Sequence, residues 1–538
     1  MIVAEAVGRV LADLGVGPVF GVVGSGNFHV TNALRDAGVP FYATRHEGAA
    51  ATAADACARM TGRITLVSTH QGCGLTNAVT GIGEAAKSRT PMIVLTAESP
   101  ESDPLNNFRI DQEALARSVG AVPMRITDPT TVVVDTIRAV HTARFERRTI
   151  VLNLPVDVQA MTGVELKSVA LKAYPRPTTP DVTELTALIG AAERPVFIAG
   201  RGGRGAGAEI RALADACGAL LATSAVAHGL FHEDPWALGI SGGFSSPLAA
   251  ELIRDADLLV GWGCALNRWT TRQGKLIGPS ARLAQVDLDE DALGAHRPVD
   301  VGVVGDSAMT ARAVLAGLDG VKTGYRSPEL RERIASRARW SAADFADEST
   351  SELIDPRTLS SELDRTLPAE RIVSVDSGNF MGYPSAYLAV PDEFGFCFTQ
   401  AFQSIGLGLA TAIGAAIARP DRLPVAALGD GGFHMAAGEL ETVARLGLPM
   451  VVIVYNDAAY GAEVHHFTGD HATVRFPPTD IAAIARGFGC TGLTVRAAAD
   501  LKPVQDWLDG TRDTPLVIDA KIIEDGGSWW LAEAFHGH

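Results

Sequence analysis

Short, continuous apolar runs recur along the chain, each closed by Gly, Pro, Asp or Asn. Stretches of helical periodicity lie between them. Residues 18–23, 40–43, 64–68, 91–96 and 149–154 read as strands, and 31–37 and the Ala-rich 47–61 as helices. Strands and helices alternate along the chain, which implies a parallel sheet covered on both faces by helices. The pattern restarts at 195–199, 258–261 and 283–287. It restarts again at 372–375, 424–428, 449–455 and 516–520, with a helix over 433–446. At 538 residues the chain exceeds what one core organises. The fold class expected is α/β, with three doubly wound parallel-sheet domains over 1–165, 181–325 and 355–538. The Pro-rich stretch 172–180 and the mixed-charge stretch 327–349, read as helical and solvated, serve as linkers. No repeat between the first and third units is strong enough to claim.

One stretch carries chemistry. Gly429-Asp430-Gly431-Gly432 separates the strand 424–428 from its helix, and the next strand ends on Asn456. This order puts Asp430 and Asn456 at the carboxyl ends of two parallel strands, where open α/β sheets bind ligands. Glycines let backbone N–H groups approach phosphate oxygens, and a helix N-terminus adds positive potential. A carboxylate and an amide oxygen are hard donors suited to Mg²⁺ beside a diphosphate.

Composition removes other classes. A net charge of −16 argues against nucleic acid or an anionic membrane surface as partner. Hydrophobic content of 47% with 20% charged residues is that of a globular protein. The six cysteines are scattered without a Cys-x-x-Cys, which points to a reducing cytoplasm and away from zinc or disulfides. No apolar run reaches membrane-spanning length. Glu5, Arg9 and Asp13 make the first residues an amphipathic helix rather than a signal peptide.

Further stretches join the glycine turn to form a pattern. They are Thr44-Arg45-His46-Glu47-Gly48-Ala49-Ala50, Gly72-Cys73-Gly74-Leu75-Thr76-Asn77, Leu154-Pro155-Val156-Asp157-Val158-Gln159 and Ile405-Gly406-Leu407-Gly408-Leu409. With Gly429 to Gly432 and Asn456 they resemble the three-domain thiamine-diphosphate enzymes that include acetolactate synthase, benzoylformate decarboxylase and pyruvate decarboxylase. The resemblance covers essentially the whole chain and implies a pyrimidine-binding domain, a central domain and a diphosphate-binding domain. It implies that Asp430, Asn456 and the Ala458 carbonyl hold Mg²⁺, that Gly429, Gly431 and Gly432 meet the diphosphate, and that Tyr460 and Gly461, also cofactor-binding, begin the wall over the substrate. Glu47 is then the carboxylate that meets the aminopyrimidine ring. The Gln403 carbonyl accepts from that ring's amino group, and Ile405 props the cofactor into its bent shape.

The same resemblance places Ser25, His70, Gln71 and Gln112 beside the substrate, with His29, His465 and His466 as neighbours of open role. The chain departs from acetolactate synthases at His70-Gln71, where they have Thr-Ser. The decarboxylases place His at the His70 position. Asp111 stands where acetolactate synthases have Phe. The glycine run 200–207, with Arg201, Arg204 and Arg268, is either a nucleotide loop or solvated surface. FAD is possible in the central domain but not favoured. The implied activity is cleavage or formation of a C–C bond on a 2-oxo acid or related carbonyl, by a homodimer or homotetramer with sites at the subunit interface. Flavin-containing acetolactate synthesis and a catalytically idle relative are the alternatives.

Overall fold

The computed structural model describes residues 1–166, 178–524 and 528–532. Much of the predicted linker 172–180 therefore lies outside the described residues. The first sheet contains β1 (Val19–Gly21), β2 (Phe41–Ala43), β3 (Thr65–Thr69), β4 (Met92–Glu98), β5 (Val122–Arg125) and β6 (Thr149–Pro155). The second contains β7 (Pro195–Ala199), β8 (Leu220–Thr223), β9 (Ala237–Ile240), β10 (Leu258–Trp262), β11 (Arg282–Asp287) and β12 (Val301–Val304). The third contains β13 (Arg371–Val375), β14 (Phe396–Phe398), β15 (Leu423–Gly429), β16 (Val451–Asn456), β17 (Thr491–Val495) and β18 (Leu516–Lys521). Each sheet has six strands, and the strands pair in parallel, as the unbroken apolar runs require.

The strand orders differ in an informative way. The middle sheet runs β12-β11-β10-β7-β8-β9, the doubly wound order of dinucleotide-binding folds. The outer sheets run β2-β1-β3-β4-β6-β5 and β14-β13-β15-β16-β18-β17. Numbered from its own first strand, each outer sheet has the same order. The likeness invisible in the residues is therefore plain in the topology.

Small side chains bring the outer sheets together. The helices Glu47–Thr61 and Gly408–Ala418 pack face to face. A Cβ on Gly414 would come within 2.1 Å of the Ala53 carbonyl oxygen, so only glycine permits this approach. Ala50, Ala54 and Cys57 share one core with Leu409, Ala412 and Ile413. Truncating Leu409 or Ile413 to Ala is expected to cost about 2–5 kcal/mol.

Two expectations change. The helix read over 433–446 is two helices, Asp430–Ala436 and Glu439–Arg445. The break falls at Ala437-Gly438, where glycine's low helix propensity meets a turn toward the first domain. The charged stretch 327–349 is only partly a solvated linker. Ser327 caps a helix, Pro328–Arg337, whose Leu330 and Ile334 are buried in the central core, and Trp340 and Phe345 pack on the third domain. Two apolar residues at i, i+4 are enough to dock an otherwise charged helix.

Candidate active site

The third sheet presents its carboxyl edge through loops after β13, β14, β15 and β16. Asp430 opens its helix and is 4% exposed. It hydrogen-bonds Asp457, and burial together with the Asp457 charge holds its carboxyl well above the usual range. Burial raises Asp457 as well. Two buried carboxylates sharing a proton are a donor set that a divalent cation would relieve.

The Asn456 amide is oriented from behind. Its Nδ2 donates to Asp519 Oδ1 at 2.8 Å, and the Lys521 Nζ lies 3.0 Å from the other Asp519 oxygen. A carboxylate paired with an ammonium only accepts, so Asn456 must turn its NH₂ toward Asp519. Oδ1 then faces the loop, where it accepts from Ala458 N at 3.1 Å. Ala458 and Gln403, the residues expected to contribute carbonyls, both have φ in the left-handed region, at 54° and 58°. Non-glycine residues hold that conformation only when their surroundings enforce it, and such positions gather at functional sites.

Asp376 ties these loops together. Fully buried at the end of β13, it accepts from Ser377 N at 2.8 Å, Gly406 N at 3.0 Å and Leu407 N at 3.2 Å. Burial nevertheless pushes its carboxyl up to about 6. A Cβ on Gly432 would lie 2.3 Å from Asp376 Oδ2, and one on Gly431 would lie 2.4 Å from the Tyr460 ring. The glycine turn is thus walled by Asp376 and Tyr460, with Gly461 opening the helix Gly461–His466 beside it. Ile405 is half-buried in the turn between Gln403 and Gly406. These residues fit a diphosphate with a hard cation, in donor chemistry and in backbone clearance.

The first sheet presents a second, more open set. Glu47 begins its helix after His46, whose ring nitrogen accepts from Gly48 N. The Glu47 Oε2 accepts from Asn77 Nδ2 at 3.0 Å on an exposed face. His70 Nε2 stands 3.3 Å from Ser25 Oγ, its Nδ1 3.0 Å from the Gln71 carbonyl, and its ring 4.8 Å from Phe108. Ser25 sits on a turn pinned by buried Asn27, which bonds Gly24 N, the Val22 carbonyl and Ser68 Oγ. Gln71 is buried, and among the described residues its Oε1 has no hydrogen-bond partner. Gln112 is 1% exposed; its Oε1 accepts from Gly72 N and its Nε2 donates to the Ala97 carbonyl and Asn153. The structure therefore places Gln112 beneath the glycine turn, with its amide fully engaged. His29 is exposed one turn along from Ser25. His465 and His466 are half-buried, and among the described residues no metal-competent cluster forms around them.

Within one chain the two sets do not share a cavity. A cavity of about 1460 Å³ is lined by Gln403, Ile405, Asp430 and Tyr460, and reaches Gly200 and Asn267 of the central sheet. Glu47, Ser25, His70, Gln71 and Gln112 do not line it. Exposed apolar side chains flank each set: Phe28, Phe108 and Ile110 on the first domain, and Phe402 and Met435 on the third.

Sequence reading gave no role to Asp376, Asp457 or Asp519. The signals existed. Asp376 closes a strand as Asp430 nearly does, and Asp519 is an acid in the middle of an apolar run, a position that demands buried partners.

Three parallel α/β sheets, one of them with a glycine turn and buried acids at its carboxyl edge, make a scaffold suited to a diphosphate-bearing cofactor. The chain matches three family models: the N-terminal TPP binding domain of thiamine pyrophosphate enzymes over residues 1–120, their central domain over 182–314, and their C-terminal TPP binding domain over 376–520. It belongs to the thiamine pyrophosphate enzymes. It is 28% identical to a sulfoacetaldehyde acetyltransferase of Rhodobacter capsulatus, across 93% of this chain and 90% of that protein. It is also 28% identical to a probable acetolactate synthase large subunit of Methanocaldococcus jannaschii, across 85% and 80%. A thiamine diphosphate-dependent 4-hydroxybenzoylformate decarboxylase of Rhodococcus jostii shares the fold at a TM-score of 0.83 and 22% identity, over 98% of this chain and all of that one. Among the described residues no helix is long and apolar enough to cross a membrane.

Proposed function

We propose that this chain is a Mg²⁺- and thiamine-diphosphate-dependent enzyme that breaks the C–C bond beside the carbonyl of a 2-oxo acid or related compound. The acyl fragment is then delivered to a proton or to a second acceptor. The observation that carries this reading is the split between two incomplete half-sites, one built around Glu47 and the other around Asp430. Each has exposed apolar residues beside it, the kind of surface that a second copy of the chain covers, and a second copy completes both.

Thiamine diphosphate supplies, when bound, a carbon nucleophile and an electron sink. Asp430, Asn456 and the Ala458 carbonyl would hold the cation, and Gly429 to Gly432 would cradle the diphosphate. Ile405 and the Gln403 carbonyl set the position of the aminopyrimidine ring. Glu47 of the partner subunit, its carboxylate steadied by Asn77, would hold a proton at the aminopyrimidine end. His70 and Ser25, 3.3 Å apart, form a relay that moves a proton at the reacting carbonyl. Gln112 supports the turn on which His70 sits, and the Gln71 carbonyl meets the His70 Nδ1. The synthase and acetyltransferase relatives support delivery to a second acceptor.

A second reading, acetolactate synthesis with a flavin in the central domain, is favoured by the cavity's reach to Gly200, Gly202 and Asn267. The visible absorption of the purified protein decides it. The main reading is tested with a panel of 2-oxo acids plus thiamine diphosphate and Mg²⁺, scoring CO₂ and organic products separately. Turnover of at least one acid is expected. A cofactor-loaded protein that turns over none of them contradicts it.

A further inference from the structure

Two buried glutamates outside the half-sites make the same unusual contact in opposite directions. Glu84 lies on the helix Cys73–Lys87, which follows β3 in the first domain. Its carboxylate accepts from two backbone amides of the third domain, Ala401 N at 3.0 Å and Phe402 N at 2.6 Å. Glu439 opens the helix Glu439–Arg445, which follows β15 in the third domain. Its carboxylate accepts from two backbone amides of the first domain, Arg45 N at 3.0 Å and His46 N at 2.9 Å. The two are 0% and 3% exposed.

The contacts are equivalent by topology. β3 and β15 occupy the same place in their sheets, as do β2 and β14, whose following loops supply the clamped amides. In each case the clamped pair stands directly before a candidate cofactor contact: Arg45 and His46 before Glu47, Ala401 and Phe402 before Gln403. Domain adhesion alone explains neither that choice of amides nor its repetition. A buried carboxylate is costly to hold where apolar packing would serve.

We propose that Glu84 and Glu439 are reciprocal positioning residues, through which each outer domain of a chain sets the cofactor-facing backbone of the other. The inference rests on the reading above that Glu47, Gln403 and Ile405 face the cofactor. The two clamps differ in backing. Glu84 is braced by Arg59 at 2.7 Å, which also grips Asp55 and the Phe398 carbonyl. Glu439 has Thr442 Oγ1 at 2.7 Å, while neighbouring Arg445 reaches the Ala43 carbonyl. Burial pulls both carboxyls upward. In Glu84 the Arg59 charge and the two backbone bonds outweigh it, and in Glu439 burial prevails.

The test uses Glu439→Gln and Glu84→Gln in the full chain. It measures amide hydrogen exchange without cofactor, thiamine-diphosphate affinity by calorimetry with Mg²⁺, and hydrogen exchange at the C2 carbon of bound cofactor. Glu439→Gln should speed amide exchange at 45–46 and slow C2 exchange roughly tenfold or more, because small misplacement of a catalytic group is expensive. Affinity should stay within about threefold. Glu84→Gln should expose the amides of 401–402 and weaken affinity roughly tenfold, leaving 45–46 protected. Should either variant fail to fold, Thr442→Val and Ser88→Ala, the latter removing a hydroxyl that donates to Glu84 Oε1 at 3.2 Å, weaken the same clamps and should move the same readouts less. Affinity and C2 exchange unchanged in every folded variant, with only the melting temperature lowered, would overturn the proposal. A wild-type protein that binds no cofactor would instead overturn the reading of the site, while the cofactor-free amide protection still reports on the clamps.

Discussion

The first and third sheets share one topology and arm it differently. The loop after β2 carries Glu47, and the loop after β14 carries Gln403 and Ile405. The loop after β3 carries His70 and Gln71, and β15 ends at Gly429, beside Asp430. Ser25 follows β1 where Asp376 follows β13. The first set is open and offers a histidine, a hydroxyl and one carboxylate. The third is buried and offers acids crowded against one another. One strand order supplies the same addresses twice, and residue type decides whether an address moves protons or holds charge.

The comparison can be broken at its most open residue first. Glu47→Gln should lower turnover by about a hundredfold or more, the usual scale of a lost acid–base group, with cofactor affinity little changed. A fully active variant would remove Glu47 from the chemistry. On the buried side, Asp519→Asn frees the Asn456 amide to flip. Mg²⁺ affinity measured by titration should then fall about tenfold to a hundredfold, as for other groups that orient a metal ligand. Unchanged affinity would show that the orientation is set elsewhere.

Asp376 sharpens the contrast through pH. Burial pushes its folded-state carboxyl up to about 6, above the ordinary aspartate value of about 3.9. Below the lower value both states hold the proton. As pH rises toward 6 only the unfolded state releases it, so stability is lost. The cofactor-free wild type should therefore lose about 2 kcal/mol relative to Asp376→Asn between pH 4.5 and 7.5 in urea unfolding. A constant difference across that range would contradict the assignment. The smallest effect is expected at Ser25→Ala, which leaves the His70 Nε2 without its hydroxyl neighbour. Turnover should drop only about twofold to fivefold, the scale of one exposed hydrogen bond.

Sequence patterning reached the three-sheet architecture because strands buried on both faces write themselves as unbroken apolar runs. Five of the six edge strands, β5, β9, β12, β14 and β17, escaped it. Edges are short and partly wet, so β17 and β12 mix exposed residues among apolar ones. Glycine turns were readable because Gly431 and Gly432 answer to local backbone demands. Glu84 and Glu439 were not, since each has its partners more than 300 residues away, at separations of 317 and 394. On a helix a buried glutamate looks the same as a solvated one until the fold brings the other domain to it. Likewise, the shared order of the outer sheets is a property of pairing, which conserves no residue type.

The central claim is that one site takes Glu47 from one copy of the chain and Asp430 from another. Mixing subunits of Glu47→Gln with subunits of Asp430→Asn, each inactive alone, tests it directly. If sites are shared, a hybrid dimer holds one doubly altered and one intact site, and activity should return to about a quarter of wild type at random exchange. If each site is built within a single chain, every site keeps one substitution and the mixture stays inactive.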